Sequence, residues 1–133
     1  FAEAFTVAKK VGLHINTTYE AIRISSGNSF VHETESKVIL NGSRDINFTI
    51  DLVVKDVGLF DKLADANKVP VEISPLVLNI FKDGQERYGP REFSPNIVKR
   101  LEEGCDIQIL GTGFPAEMTD DEPIEPGYEV KPH

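Results

Sequence analysis

The sequence has a single cysteine, fewer basic than acidic residues and no long apolar run, and each shortage excludes a class of protein. Because Cys105 is the only cysteine, neither an internal disulfide bond nor a thiolate metal cluster can form. No run of about 18 apolar residues occurs, so we expect no membrane-spanning helix. The formal net charge of −8 argues against nucleic acid as a partner, because phosphate binding requires a basic face.

Metal-binding patterns are also missing from the sequence. The three histidines, His14, His32 and His133, are scattered and lack the spacing of metal ligands. An acidic run at residues 119–122 supplies carboxylates, but nothing around it would fix a ligand geometry. We therefore expect no metal site, and we interpret the acidic run as part of a solvated tail.

Three N-x-S/T sequons, at Asn16, Asn41 and Asn47, are the one feature that would suit a secreted glycoprotein. All three lie where a helix is expected to begin or end, and asparagine is common at such positions. Helix capping is therefore the preferred interpretation of the sequons. Because no signal-peptide pattern opens the sequence, we expect a cytoplasmic protein.

Apolar periodicity and helix-boundary signals predict an all-α domain over residues 1–110. The predicted helices span residues 2–11, 17–24, 30–40, 47–67, 74–82 and 94–103. Their boundary signals are a capping box at Thr17–Glu20, the Asn41–Gly42 stop, Ser-Pro pairs at 74–75 and 94–95, and Gly104. Residues 106–110 are the one candidate strand. The first helix lacks a start methionine and a capping residue, so we expect a piece of a longer protein.

The composition changes after Gly111, where proline and acidic residues become frequent and bulky apolar residues become rare. A segment of this kind does not bury enough apolar surface to fold by itself. We therefore predict that residues 111–133 form a tail, which is either disordered or laid over a surface or a neighbouring subunit.

The predicted central helix, residues 47–67, is apolar on most sides but carries Lys55 and Asp56 in its middle. Helical spacing would place Lys55 on one stripe with Phe48 and other apolar side chains. In one interpretation Lys55 pairs with Asp51, four residues earlier, in a contact worth roughly 0.2–0.5 kcal/mol. In the other, Lys55 is desolvated and needs a ligand or partner to compensate its charge. The residues alone leave both interpretations open.

Five short motifs occur in an order and spacing that characterise a known family. They are E-A-x3-A-x-K-x-G-L at residues 3–13, GNSF at residues 27–30, F-x6-K-D at residues 48–56, the connection at residues 68–71, and F-S-x-x-I-x-K at residues 93–99. Through them, residues 2–103 resemble the C-terminal domain of the β-hydroxyacid dehydrogenases, such as 3-hydroxyisobutyrate dehydrogenase. That domain has the all-α fold of the 6-phosphogluconate dehydrogenase type.

The resemblance implies an NAD(P)-dependent oxidoreductase whose cofactor, NAD or NADP, is bound mainly by an N-terminal Rossmann domain. The G-x-G-x-x-G fingerprint of that domain does not occur in this sequence. By resemblance, Lys55 approaches the nicotinamide end of the cofactor, and Phe48 and Asp56 lie on the side of a small hydroxy acid or semialdehyde substrate. The acid/base lysine of the family is expected upstream of residue 1. No catalytic residue is therefore assigned within this chain, which we expect to be inactive alone.

A homodimer is also expected, because the central helix has more apolar faces than one small domain can cover. A different class of function stays open beside the enzyme. In this alternative the chain is a non-catalytic helical oligomerisation module, either a pseudoenzyme or an interaction domain.

Overall fold

The computed structural model describes residues 1–118, which fold into six α-helices and one 3-10 helix. They are α1 (Ala2–Lys10), α2 (Ile15–Arg23), α3 (Phe30–Asn41), α4 (Ile50–Ala66), α5 (Ile73–Tyr88), the 3-10 helix (Ser94–Val98) and α6 (Lys99–Cys105). Within these 118 residues, β pairing is limited to two isolated bridges, Asp45 with Glu117 and Thr49 with Phe93. The all-α prediction is confirmed, and the candidate strand at 106–110 does not form. The predicted tail beyond residue 118 lies outside the described residues.

Several helix boundaries differ from the prediction because contacts outside the helix decide them. α2 begins at Ile15 without a side-chain cap, so the predicted capping box at Thr17 is wrong. α5 begins one residue before Ser74, whose hydroxyl donates to Asp61 of α4 instead of capping its own helix. It also continues to Tyr88, well beyond its predicted end. Local signals identified these helices but not their first and last residues.

The two ends of α3 follow the sequence signals closely. The Ser29 hydroxyl accepts a hydrogen bond from the His32 amide at 3.0 Å, which satisfies one of the free amides of the first turn. Gly42 ends the helix in the left-handed region, with φ of 96°, where glycine is least strained. In α6 the left-handed residue is Asp106, with φ of 51°, whereas Gly104 lies inside the helix. The predicted stop at Gly104 is therefore wrong.

The sequon asparagines have structural roles other than side-chain capping. Asn16 lies in the first turn of α2, and its amide group donates to the Thr112 carbonyl oxygen at 2.7 Å. Asn41 is the last residue of α3, and its amide group donates to the Phe114 carbonyl oxygen at 2.7 Å. Asn47 lies in the loop before α4 with φ of 53°. Two of the three therefore bind the segment that follows α6.

The hydrophobic core lies among α1, α2, α3, the 3-10 helix and the segment after α6. Its buried residues are Phe5, Ala8, Ile15, Tyr19, Ile39, Leu40, Val98 and Ile109. Residues four apart on a helix share a face, and Ile15 with Tyr19 shows how α2 presents such a face to this core. We call residues 1–47 and 94–110, which contain α1 to α3, the 3-10 helix, α6 and the loops next to them, the body.

A buried ion pair joins two segments of the body that are far apart in sequence. The Arg44 guanidinium lies 2.6 Å from the Glu102 carboxylate, and both side chains are about 10% exposed. Arg44 also donates to the Asn96 side-chain oxygen at 3.3 Å, and Glu102 accepts from the Ile109 amide at 2.7 Å. Because a buried charge is costly without partners, this network fixes the loop after α3 against α6.

Helices α4 and α5 form a hairpin that is much less buried than the body. In the whole hairpin only Ile50, Ala64 and Gly84 are fully buried. Gly84 allows close approach to the body, since a Cβ atom there would lie 2.4 Å from the Ile97 side chain. The large apolar residues left exposed on the hairpin are Leu59, Phe60, Leu63, Ile73 and Leu76. Within residues 1–118, no helix is both long enough and apolar enough to cross a membrane.

Candidate functional site

The three predicted site residues lie together at the start of the hairpin. Phe48 precedes the first residue of α4, Ile50, and is 37% exposed. The expected helical stripe through Phe48 and Lys55 is therefore wrong, because the chain is not yet helical at Phe48. Phe48 lies in the loop before α4, whereas Lys55 and Asp56 lie in the second turn of α4.

Three backbone hydrogen bonds to residues 90–94 fix the start of α4. They join the Phe48 carbonyl to the Ser94 amide at 2.8 Å, the Ile50 amide to the Glu92 carbonyl at 2.9 Å, and the Asp51 amide to the Pro90 carbonyl at 3.0 Å. The first amides of a helix have no carbonyl partner within the helix, so two of these bonds also satisfy the helix end. They hold the Phe48 backbone at a defined place relative to α4.

Lys55 and Asp56 form an exposed ion pair with each other. The Lys55 Nζ lies 2.9 Å from the Asp56 Oδ1, and the two side chains are 59% and 53% exposed. Exposed pairs of this kind contribute about 0–1 kcal/mol, so this pair can separate at little cost. On the surface of this chain Lys55 is therefore not desolvated by its neighbours, so of the two interpretations left open by the sequence the desolvated one does not hold for the chain by itself.

Asp51 does not pair with Lys55, so the predicted ion pair between them is wrong. The Asp51 carboxylate accepts a hydrogen bond from the Thr49 hydroxyl and lies 3.2 Å from the Arg91 guanidinium. The hydrogen bond from Thr49 is the main cause that lowers the pKa of Asp51, and the Arg91 contacts add to it. Asp51 thus links the first turn of α4 to the loop after α5, and Lys55 pairs with Asp56 instead.

An apolar groove of about 580 Å³ opens beside Asp56, between α4 and the start of α5. Its lining residues are Asp56, Val57, Phe60, Val71, Glu72, Ile73, Ser74 and Val77. A groove of this size falls in the range of small-molecule sites, which combine apolar walls with a few polar groups. Asp56 and Glu72 are the charged residues among those that line it.

The sequence did not predict this groove, because its two walls come from separate helices. One usable signal was present, since Val57 and Phe60 are three residues apart and share one face of α4. Val71 and Val77, which line the other wall, belong to a later segment. Only the turn of the hairpin places them opposite Val57 and Phe60.

The sequence is similar to one family model and to curated dehydrogenases. Residues 1–101 match the family model described as NAD-binding of NADP-dependent 3-hydroxyisobutyrate dehydrogenase. The chain is 26% identical over 98 residues to L-threonate dehydrogenase of Escherichia coli. The aligned region covers 74% of this chain and 32% of that protein. The chain is 31% identical over 111 residues to 2-(hydroxymethyl)glutarate dehydrogenase of Eubacterium barkeri. That aligned region covers 83% of this chain and 37% of the relative.

The fold is also similar to a solved structure, that of 3-hydroxyisobutyrate dehydrogenase from Salmonella typhimurium. The TM-score is 0.63 at 27% identity, and the match covers 74% of this chain and 35% of the other. The chain thus spans about a third of the length of the relatives it matches. Because the family model matches most of the sequence, the chain belongs to the NAD-binding family of the NADP-dependent 3-hydroxyisobutyrate dehydrogenases.

Proposed function

We propose that this chain is the C-terminal helical domain of an NAD(P)-dependent 3-hydroxy acid dehydrogenase. The observation that carries the proposal is the exposed Lys55–Asp56 pair, which lies beside an apolar groove and follows a Phe48 loop fixed by hydrogen bonds. The ion pair, the groove and Phe48 all lie within residues 1–101, the range matched by the family model. The relatives' names denote dehydrogenases of hydroxy acids, which supports oxidation of a CH–OH group as the reaction class.

Lys55 is suited to bind the nicotinamide end of the dinucleotide. Its ammonium has three donors and, in this chain, one exposed carboxylate partner 2.9 Å away. Polar oxygens of a ligand can therefore take the place of Asp56 or share the ammonium with it. When a second domain closes over the site and excludes water, such contacts strengthen because the local dielectric falls.

Phe48 and Asp56 are assigned to the substrate side of the site. The partly exposed ring of Phe48 would exclude water from the reacting carbon, and the Asp56 carboxylate would accept hydrogen bonds from substrate hydroxyls. The bound nicotinamide supplies hydride acceptance and donation. The acid/base lysine is assigned to the missing upstream part, so no proton transfer in the reaction is assigned to this chain.

The proposal includes an assembly and a domain division. We assign residues 1–110 to a helical domain that closes the site and builds a homodimer, and residues 111–133 to a tail. The exposed apolar side chains on the hairpin, Leu63 among them, support a partner surface. We place the enzyme in the cytoplasm.

The same apolar hairpin also favours the second candidate function, a non-catalytic oligomerisation module. Self-association needs only the hairpin surface, whereas the enzyme also needs an upstream nucleotide-binding domain. The reading frame upstream of Phe1 separates the two. We expect roughly 160 upstream residues with a G-x-G-x-x-G fingerprint, and a start codon at or near the codon of Phe1 would contradict the enzyme.

The biochemical test compares the complete protein with the 133-residue chain. Both are assayed for reduction of NAD⁺ and NADP⁺ with a panel of 3-hydroxy acids. We expect turnover by the complete protein and none by the chain alone. Turnover by the isolated chain would show that its catalytic centre has been assigned to the wrong place, and inactivity of both would favour the oligomerisation module.

A further inference from the structure

Residues 111–118, which we call the arm, are bound along α2 and α3 by side chains that contact every second carbonyl. The Asn16 amide donates to the Thr112 carbonyl at 2.7 Å, the Asn41 amide to the Phe114 carbonyl at 2.7 Å, and the Ser43 hydroxyl to the Ala116 carbonyl at 2.5 Å. The three acceptors are the carbonyl groups of alternate residues, although the arm is not a regular strand, since Gly113 between the first two has φ of 77°. The arm is therefore bound through its backbone.

An aromatic contact and a backbone hydrogen bond anchor the first half of the arm. The Phe114 ring packs edge-on against Tyr19 at a centroid distance of 5.1 Å and joins the core of the body. Gly111 donates to the Leu40 carbonyl at 2.9 Å. A Cβ atom at Gly111 would lie 2.5 Å from the Phe114 ring and 2.8 Å from the Asn16 side-chain oxygen, so a larger residue does not fit.

The far end of the arm contacts the loop that leads to Phe48. Ser43 binds Ala116, and Asp45 forms a β-bridge with Glu117. This loop contains two non-glycine residues in the left-handed region, Arg44 and Asn47. Such conformations are strained, and they persist where the surroundings fix them.

We propose that the arm is a positioning clamp for Phe48, which it restrains through Ser43 and Asp45. The inference rests on the proposed role of Phe48 on the substrate side of the site. The arm lies beyond residues 1–101, the range matched by the family model, so the clamp would be an addition to the shared domain. Its rival is that the buried Arg44–Glu102 pair, together with the backbone hydrogen bonds to residues 90–94, holds the loop and Phe48 without help from the arm.

The test removes the arm's anchor in the complete protein. Phe114→Ala is compared with Phe114→Leu, which keeps an apolar anchor, and with Asn41→Ala, which removes one arm hydrogen bond without opening the core. Asn28→Ala is the matched control, because its amide donates to the Glu33 carboxylate near the start of α3 and not to the arm. Hydrogen exchange of the peptide covering residues 43–50 is measured, together with kcat and both KM values.

For Phe114→Ala we expect exchange at residues 43–50 to be about tenfold faster, since loss of the clamp lowers the local opening free energy. We also expect the KM for the hydroxy acid to rise about fivefold and that for NAD(P) to change less than twofold, because Phe48 would lie on the substrate side. Asn41→Ala should show the same pattern more weakly, and Phe114→Leu and Asn28→Ala should resemble the wild type.

Unchanged exchange at residues 43–50 in Phe114→Ala and Asn41→Ala would overturn the clamp in favour of the rival. Faster exchange with unchanged KM values would overturn the positioning of Phe48. The exchange measurement does not depend on activity. If the wild-type protein transfers no hydride, the proposed function fails, while the exchange data still decide whether the arm restrains the loop.

Discussion

The body and the hairpin are built from similar sequence patterns but differ in how much of their apolar surface they cover. In the body, Phe5, Leu40 and Ile109 are fully buried. In the hairpin, Leu63 and Ile73 are exposed, although α4 is as apolar in its pattern as any helix of the chain. The body also leaves large apolar side chains exposed, Ile24 among them, but it encloses a buried core, whereas the hairpin, which carries Lys55 and Asp56, has few buried residues of its own. The proposed partner surface on the hairpin is therefore a prediction that variants on the two parts can test.

The largest effect is expected in the body, from Glu102→Ala. This change leaves the Arg44 guanidinium buried without its carboxylate, which costs roughly 3–5 kcal/mol of unfolding free energy. It also removes the acceptor of the Ile109 amide. Urea unfolding followed by circular dichroism measures the change. The double variant Arg44→Met with Glu102→Leu is the control, because removing both charges restores much of the loss.

If Glu102→Ala unfolded at nearly the wild-type urea concentration, the body would not depend on this pair. The Arg44–Glu102 network would then contribute little to the stability of the fold, and the contrast with the hairpin would rest on apolar packing alone.

In the hairpin the largest effect is expected on activity rather than stability, from Lys55→Met in the complete enzyme. We expect kcat/KM to fall at least about tenfold, equivalent to about 1.4 kcal/mol of transition-state stabilisation, with little change in the melting temperature. The side chain is exposed and its ion pair contributes little to folding. Steady-state kinetics and melting curves on purified variants measure both quantities.

Asp51→Asn is the matched control for Lys55→Met. It changes the carboxylate that contacts Arg91 but leaves the Lys55–Asp56 pair in place. We expect kinetics close to those of the wild type. Small and equal kinetic effects in the two variants would contradict the cofactor role of Lys55.

The apolar hairpin surface should govern self-association. Leu63→Asp places a charge on that surface, and we expect the dimer dissociation constant to rise at least about tenfold. Because Leu63 is exposed in this chain, the stability of the monomer should change by less than about 0.5 kcal/mol. Sedimentation velocity over a concentration series measures the constant.

Ile24→Asp is the matched control for Leu63→Asp, since Ile24 is an exposed apolar residue of the body, 77% exposed against 64% for Leu63. We expect its dissociation constant to match that of the wild type. A similar loss of dimer in both variants would indicate that the interface is not on the hairpin.

Local signals in the sequence predicted which segments are helical, but not where distant segments meet. The end of α3 at Gly42 follows from glycine's preference for the left-handed region, and this prediction is confirmed. The central helix with Lys55 and Asp56 in it was also found from periodicity. Both depend on residues within a few positions of each other.

The features that the sequence did not reveal depend on contacts between distant residues. Phe48 was placed in a helix, yet residues 90–94 bind this part of the chain and α4 starts two residues later. Glu102 lies 58 positions from Arg44, and no helical or strand spacing relates them. The predicted roles of Phe48, Lys55 and Asp56 stay predictions, which the kinetic variants test.

The smallest effect is expected from the contact that joins the hairpin to the body. Asp83 of α5 lies 2.5 Å from Arg100 of α6 and 3.1 Å from Arg87. The hydrogen bond from Arg100 is the largest cause that lowers the pKa of Asp83, while partial burial acts in the opposite direction. The folded state therefore binds the proton of this group less tightly than the unfolded chain.

This difference in pKa fixes the direction of a pH effect. The contribution of Asp83 to stability is fully present above the unfolded-chain pKa, near 3.8, and is lost as the pH falls through the lower folded value. Asp83→Asn should therefore be less stable than the wild type at neutral pH, and the difference should shrink in acid. Urea unfolding of both proteins between neutral pH and pH 3 measures it. A difference that stayed constant down to the lowest pH would show that the carboxylate charge does not join the hairpin to the body.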